Sequence, residues 1–168
     1  PEELMRTLGA YHAAMGRLVL EHEATLERFT GDGMMVFLGD PVPVEDAAVR
    51  GVRLAVEMRA AALELSEKWR KRGVDLGLGI GIAQGFATVG AIGFEGRIDY
   101  GAIGTVTNLA ARLCQQAKAG EIILSQRVYA EVSDDITADD LGELALHGFA
   151  RPQRAWRWTG TVAAASQA

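Results

Sequence analysis

The sequence has a single cysteine, few basic residues relative to acidic ones, and no long apolar run. With Cys114 alone an internal disulfide is excluded, and an unpaired thiol is typical of a reducing compartment. The formal net charge of −5 argues against nucleic-acid binding, because such proteins usually carry a basic patch or stripe. No run approaches the roughly 18 apolar residues needed to cross a bilayer, and no signal peptide opens the chain. We therefore expect a globular cytoplasmic domain that contacts neither membrane nor nucleic acid.

The length of 168 residues fits one domain with a proper core. We expect residues 1–160 to form this domain and the small, polar residues 161–168 to be a flexible tail. Apolar periodicity predicts four helices, over residues 1–24, 47–72, 105–118 and 126–132. In the first of them the apolar stripe is Leu4, Leu8, Tyr11, Met15 and Leu18.

Strands are predicted between these helices, at residues 24–30, 34–39, 74–93, 97–104, 121–125, 141–149 and 154–160. Helices and strands are thus interleaved along the chain. This order predicts an α/β or α+β fold, with a sheet covered by helices.

The stretch RFTGDGMMVFLGD, residues 28–40, places Asp32 between Gly31 and Gly33. Gly-Asp-Gly between two apolar runs predicts a β-hairpin, because Asp and Gly tolerate positive φ. Glycines beside the carboxylate also allow a ligand to approach the backbone closely. From this stretch alone, Asp32 is either a turn residue or a carboxylate placed for chemistry.

Glycines alternate with Leu or Ile over residues 76–82. Such alternation predicts a strand with one face lacking side chains. A dinucleotide-binding GxGxxG loop is excluded, because Gln84 stands where its last glycine is needed and no helix follows. We expect the glycines to permit close packing against another element.

The segment TVTNLAARLCQQAK, residues 105–118, places Asn108 and Arg112 four residues apart on a predicted helix, so they share one face. An amide beside a guanidinium can hold an anionic ligand, since Arg offers a planar donor fork suited to phosphate. The alternative is an ordinary amphipathic helix with a solvated polar side.

Four motifs taken together, in their order and spacing, are more specific than any one of them. FTGDGMMVFLGDP, a G-I-G strand, IDYGAIGTVTNLAARL and ELALHGFARP resemble the class III adenylyl/guanylyl cyclase catalytic domain over nearly the whole chain. The resemblance implies a ferredoxin-like βαββαβ core with extensions. It also implies a head-to-tail homodimer with active sites at the subunit boundary, under an upstream sensor or regulatory domain.

Cyclases of this family close a nucleoside triphosphate into a 3′,5′-cyclic nucleotide and release pyrophosphate, using two Mg or Mn ions. By the resemblance, Asp32 matches a metal-binding aspartate. Asn108 matches the residue that orients the ribose, and Arg112 the one that stabilises charge on the transferring phosphoryl group. The last two are expected to come from the subunit opposite the one that supplies Asp32.

The resemblance also implies positions that bind the substrate. Arg28 and Gly101 match the purine-reading pair, and His147 stands where a phosphate-binding Lys is usual. Because position 28 is a donor and no acidic reader is present at either position, we expect ATP to be preferred over GTP. Two alternatives to this function remain: a guanylyl cyclase, and a degenerate cyclase-fold module that binds nucleotide or only dimerises. For His147 the alternative is an ordinary strand residue with no role in binding phosphate.

The family's second metal-binding aspartate lies on a first strand that precedes the first helix. Residues 1–168 begin inside that helix, so we expect them to hold half of the metal site. Asp40, Asp46 and Asp99 do not occupy the matching position.

Overall fold

The structure is a computed structural model that describes residues 2–30 and 32–162. Its helices are α1 (Glu2–Glu21), α2 (Ala47–Arg70), α3 (Thr105–Gln116) and α4 (Gln126–Val132). Its strands are β1 (Thr25–Thr30), β2 (Gly33–Phe37), β3 (Ile80–Ile82), β4 (Thr88–Phe94), β5 (Arg97–Ile103), β6 (Ile122–Ser125), β7 (Thr137–Leu144) and β8 (Gln153–Gly160). This interleaved order confirms the predicted mixed α and β class.

The strands of the described residues form three sheets. The main sheet has the order β3-β6-β8-β7, with β3 parallel to β6 and the other two pairs antiparallel. The β1–β2 hairpin and the antiparallel β4–β5 ribbon each pair only within themselves. No described helix is long and apolar enough to cross a bilayer.

The predicted β1–β2 hairpin is confirmed. Thr30 pairs with Gly33, so the connection is a two-residue turn that contains Asp32. Gly31, which precedes it, lies outside the described residues. The register shifts between Leu26 and Arg28, which makes Glu27 the extra residue of a β-bulge.

The core has helices on both faces of the main sheet. Ile122 and Leu124 of β6 pack in one buried cluster with α2 and α4, whereas Ile123 packs in another with Leu113 of α3. Successive residues of a strand point to opposite faces, so α2 and α3 cover opposite sides. A third cluster joins α1, α2 and the hairpin; its buried members are Tyr11, Met15, Val19, Leu54, Met58 and Trp69.

The predicted apolar stripe of α1 is shifted at its start. Leu4 is 49% exposed, and Thr7 is buried on the face that continues through Tyr11 and Met15. The stripe therefore follows positions 7, 11, 15 and 19, which keep the helical spacing of four residues.

Two predicted strands are shorter or displaced. The strand expected within residues 74–93 is divided into β3, at Ile80–Ile82, and β4, which begins at Thr88. Strand β3 begins at Ile80 because its partner β6 begins at Ile122, the residue that pairs with Ile80. The one expected over 141–149 runs instead from Thr137 to Leu144, and His147 lies in a turn. The chain leaves the sheet there because Leu146 turns into the core and Gly148 adopts φ +87°.

The packed chain continues to Val162, which is 8% exposed and belongs to the same cluster as α2. The remaining residues of the predicted tail, 163–168, lie outside the described residues.

The predicted role of the alternating glycines as close-packing positions is confirmed. A Cβ on Gly81 would lie 2.5 Å from the carbonyl oxygen of Ala110 and 2.8 Å from the carbonyl carbon of Leu113. A Cβ on Gly79 would lie 2.9 Å from the carbonyl oxygen of Ala117. Strand β3 therefore rests directly on the backbone of α3 and the turn that follows it.

We expect Gly81→Ala to destabilise the protein by about 1–3 kcal/mol, because the added methyl meets backbone atoms that cannot rotate away. Gly16→Ala is the control: this helical glycine has no atom within 4 Å of its added Cβ, and the change should stabilise by about 0.5–1 kcal/mol. Urea unfolding of both variants measures the difference. Equal stability of Gly81→Ala and the unaltered protein would contradict the close contact.

Candidate functional site

Asp32 projects from the turn of the β1–β2 hairpin and is exposed. Its charge acts on two neighbouring elements. Burial raises the pKa of the Tyr11 hydroxyl on α1 and of the Cys114 thiol on α3, and the negative charge of Asp32 raises both further. The carboxylate at the hairpin turn is therefore within electrostatic range of α1 and of the end of α3.

Asp32 has the chemistry of a ligand for Mg or Mn, which prefer oxygen donors. Across residues 2–30 and 32–162 there is no group of three His, Cys, Asp or Glu side chains that could hold a metal ion. Mg is often bound by one or two carboxylates together with substrate phosphates. Asp32 therefore fits as one protein ligand in a site that also needs donors from elsewhere.

The other aspartates considered in the sequence have local surroundings of their own. The backbone oxygen of Asp40 accepts a hydrogen bond from Thr25 Oγ1 at 2.9 Å. Asp46 precedes α2 with φ +51°, and Asp99 is an exposed residue of β5 paired with Ile92.

Helix α3 carries Asn108 and Arg112 on the side away from the core. Leu113 is fully buried, and Leu109 packs against the same cluster, so these two leucines fix the rotation of the helix. Asn108 is exposed, and the half-buried Arg112 donates from Nη1 to Gln115 Oε1 at 2.9 Å. The amide and the guanidinium thus share one accessible helix face, as the sequence predicts.

The start of α3 is also fixed by close contacts. A Cβ on Gly104, directly before the helix, would lie 2.9 Å from the carbonyl oxygen of Phe86. Thr107 Oγ1 donates to the carbonyl oxygen of Gly104 at 2.8 Å. These contacts position the first turn, which contains Asn108.

His147 is exposed in the turn after β7. Its neighbours Leu146 and Phe149 pack in the cluster that also contains Leu109 and Leu113 of α3. The structure therefore brings the turn that contains His147 next to the helix that carries Asn108 and Arg112. His147 itself lies in this turn and not in the predicted strand.

Arg28 and Gly101 are both next to Glu27, at the place where β1 approaches β5. Arg28 has a side chain that is 65% exposed, whereas Gly101 is buried. Between them lies Glu27, a residue that our sequence reasoning did not single out. Its side chain is 8% exposed, and Oε2 accepts from the backbone N–H of Ala102 at 3.1 Å. The sequence does show an acidic residue next to Arg28, which could have indicated this role. In a regular strand, however, successive side chains point to opposite faces of the sheet, so Glu27 and Arg28 would not be expected to lie together.

Comparison with known proteins gives a consistent result. The family model described as adenylate and guanylate cyclase catalytic domain matches residues 1–159. An adenylate cyclase of Mycobacterium tuberculosis is 28% identical over 165 residues, covering 98% of this chain and 36% of that protein. Adenylate cyclase 1 of Rhizobium meliloti is 30% identical over 153 residues, covering 88% of this chain and 23% of that protein. The chain thus spans about a third or less of the length of these curated relatives.

Two crystal structures are similar over most of their length. The adenylyl cyclase CyaB from P. aeruginosa superimposes with a TM-score of 0.89 at 36% identity, covering 96% of this chain and 84% of that one. The guanylyl cyclase Cya2 also gives 0.89, at 31% identity, covering 96% and 82%. These similarities confirm the class III cyclase fold that the four motifs predict. The chain belongs to the adenylate and guanylate cyclase catalytic domain family.

Proposed function

We propose that this domain is a nucleotidyl cyclase that converts a nucleoside triphosphate, preferably ATP, into a 3′,5′-cyclic nucleotide and pyrophosphate for intracellular signalling. The observation that carries the proposal is the face of α3, where fully buried Leu113 and partly buried Leu109 leave Asn108 exposed and Arg112 half-exposed. These are the two residues that match the family's ribose-orienting and charge-stabilising positions. Asp32 supplies a matching carboxylate on the hairpin.

In the proposed reaction the ribose 3′-oxygen forms a bond to the α-phosphorus, the bond from that phosphorus to the pyrophosphate oxygen breaks, and the hydroxyl proton is released to solvent. Asn108 orients the ribose so that the attacking oxygen lies in line with the leaving group. The Arg112 guanidinium donates to the α-phosphoryl oxygens as charge develops on them. Mg or Mn ions held in part by Asp32 would neutralise phosphate charge when bound.

We further propose that two copies of the chain assemble head to tail. The β4–β5 ribbon and its flanks expose large apolar side chains, a feature typical of protein–protein contact surfaces. These side chains are Phe86 (89% exposed), Phe94 (71%), Ile98 (67%), Ile103 (60%), Ile92 (39%) and Tyr100 (38%). In this dimer, Asp32 of one subunit and Arg112 of the other serve the same active site.

The ATP preference rests on Arg28, which is a donor and can face the N1 acceptor of adenine. The curated relatives from Mycobacterium tuberculosis and Rhizobium meliloti are named adenylate cyclases. A guanylyl cyclase is the second candidate, because Cya2 is as similar in fold as CyaB and Arg28 could also donate to guanine O6. We place the domain in the cytoplasm, because its single unpaired cysteine suits a reducing compartment. On the family resemblance, we place it under an upstream sensor or regulatory domain.

A cyclase-fold module without catalytic activity is the alternative, since the described residues contain no group of three His, Cys, Asp or Glu side chains that could hold a metal ion. In the full-length protein we expect Asp32→Asn and Arg112→Ala each to lower turnover by about 10²–10³, the typical cost of losing one preorganised electrostatic element. Arg112→Ala should change the Michaelis constant far less than the turnover number. Cyclic nucleotide is measured with Mg or Mn, against Asp134→Asn and Arg72→Ala, exposed changes outside the site, as controls.

Mixing the two inactive variants tests the shared site. A mixed dimer that carries Asp32→Asn on one chain and Arg112→Ala on the other keeps one complete set of residues, so part of the activity should return. No recovery in a mixture shown to exchange subunits would contradict the interfacial site. Full turnover by Asp32→Asn would contradict the metal role.

The purine preference is tested by assaying ATP and GTP side by side at matched protein concentration. We expect kcat/KM for ATP to exceed that for GTP by about tenfold or more, since one net hydrogen bond contributes up to about 1.5 kcal/mol. Arg28→Glu with Gly101→Ser should move the preference towards GTP, because a carboxylate accepts from guanine N1 and N2. A tenfold preference of the unaltered protein for GTP would show that Arg28 faces guanine O6.

A further inference from the structure

Glu27 is a buried acid at the junction of β1 and β5, within the proposed purine pocket. One carboxylate oxygen, Oε2, accepts the backbone N–H of Ala102 at 3.1 Å. The other, Oε1, lies 3.4 Å from Nη1 of Arg28. The side chain is 8% exposed, whereas that of Arg28 is 65% exposed. A buried carboxylate thus holds one end of an otherwise solvent-exposed guanidinium.

The β-bulge explains how neighbouring residues of one strand can make this pair. In a regular strand Glu27 and Arg28 would point to opposite faces. The register shift between Leu26 and Arg28 leaves Glu27 unpaired in the β1–β2 ladder. Bulges re-aim side chains and are frequent beside active sites. Here the bulge turns Glu27 towards β5, where it reaches Ala102.

Gly101 lies directly beside this carboxylate. A Cβ built on Gly101 would lie 3.4 Å from Glu27 Cδ and 3.5 Å from Glu27 Cγ. A side chain at position 101 would therefore lie in van der Waals contact with Glu27, so the two positions adjoin. Gly101 has no acceptor of its own, and Glu27 places one directly beside it.

The Glu27 carboxylate keeps capacity for a further donor. An ionised carboxylate offers about four lone-pair sites, and two contacts are made here, to Ala102 and Arg28. Adenine presents its exocyclic amino group as a donor next to the ring acceptor N1, whereas the carbonyl acceptor O6 of guanine has the N1–H donor beside it. The Glu27–Arg28 pair offers the complementary acceptor and donor, fixed to each other.

We propose that Glu27 is a specificity-determining residue for the purine. It orients the Arg28 guanidinium towards the purine acceptor, and its carboxylate accepts from the exocyclic amino group in place of a side chain at position 101. This inference rests on the proposed cyclase function and adds a residue to its substrate pocket.

The first test is Glu27→Gln in the full-length protein. The amide keeps the size of the side chain and an oxygen for the Ala102 N–H, but it loses the charge that holds Arg28. We expect the ratio of kcat/KM for ATP and GTP to move towards one by about tenfold, the scale of one net hydrogen bond. Glu64→Gln, which breaks an exposed ion pair with Lys68 on α2, is the matched control and should leave the ratio unchanged.

A rescue variant separates recognition from folding. Glu27→Val removes the carboxylate while suiting a strand, and it should lose selectivity as Glu27→Gln does. Adding Gly101→Thr places a hydroxyl acceptor at the emptied position and should restore at least half of the lost selectivity on a logarithmic scale. Urea midpoints of all variants are measured in parallel to report their stability. A loss of stability alone lowers the activity with both substrates and leaves the ratio between them unchanged.

An unchanged ratio in an active Glu27→Gln variant would overturn the inference and leave the cyclase function standing. Failure of Gly101→Thr to restore selectivity would also overturn it, since position 101 would then not share the role of Glu27. If the unaltered protein converts neither nucleotide, the proposed function fails, and this inference fails with it.

Discussion

The contact between the backbones of β3 and α3 is the constraint on which the rest of the site depends. Gly81 brings the strand so close to Ala110 and Leu113 that no side chain fits between them. With its backbone fixed in this way, α3 inserts Leu113 into the core and turns Asn108 outward. The His147 turn follows, because Leu146 and Phe149 pack in the cluster that contains Leu113. The orientation of the helix face that carries Asn108 is thus set by a contact on the other side of the helix.

The sequence predicts well those parts of the fold whose cause is local. The Asp32 turn follows from turn residues between apolar runs, and the α3 face follows from helical spacing between Asn108 and Arg112. The close-packing role of Gly81 is also readable, since alternating glycines remove one face of a strand. The four motifs, in their order, were enough to identify the family.

What the sequence did not predict depends on contacts between distant segments. His147 leaves the expected strand because Leu146 is drawn into a cluster with α3, which no local pattern encodes. Glu27 was missed because a bulge cancels the alternation that would have separated it from Arg28. Its partner, the backbone N–H of Ala102, lies 75 residues away in the chain. Residues of this kind are visible only once the strands are placed in space.

The exposed apolar ribbon β4–β5 has a consequence for how the proposed enzyme responds to its own abundance. If a catalytic centre forms only when two chains meet, the paired fraction at low concentration follows mass action. Product formation then rises with the square of the protein concentration, and linearly once pairing is complete. If a further domain held two copies of the chain together, the paired fraction would no longer fall at low protein concentration. In the proposed dimer, proximity between chains would therefore help to set the rate of product formation.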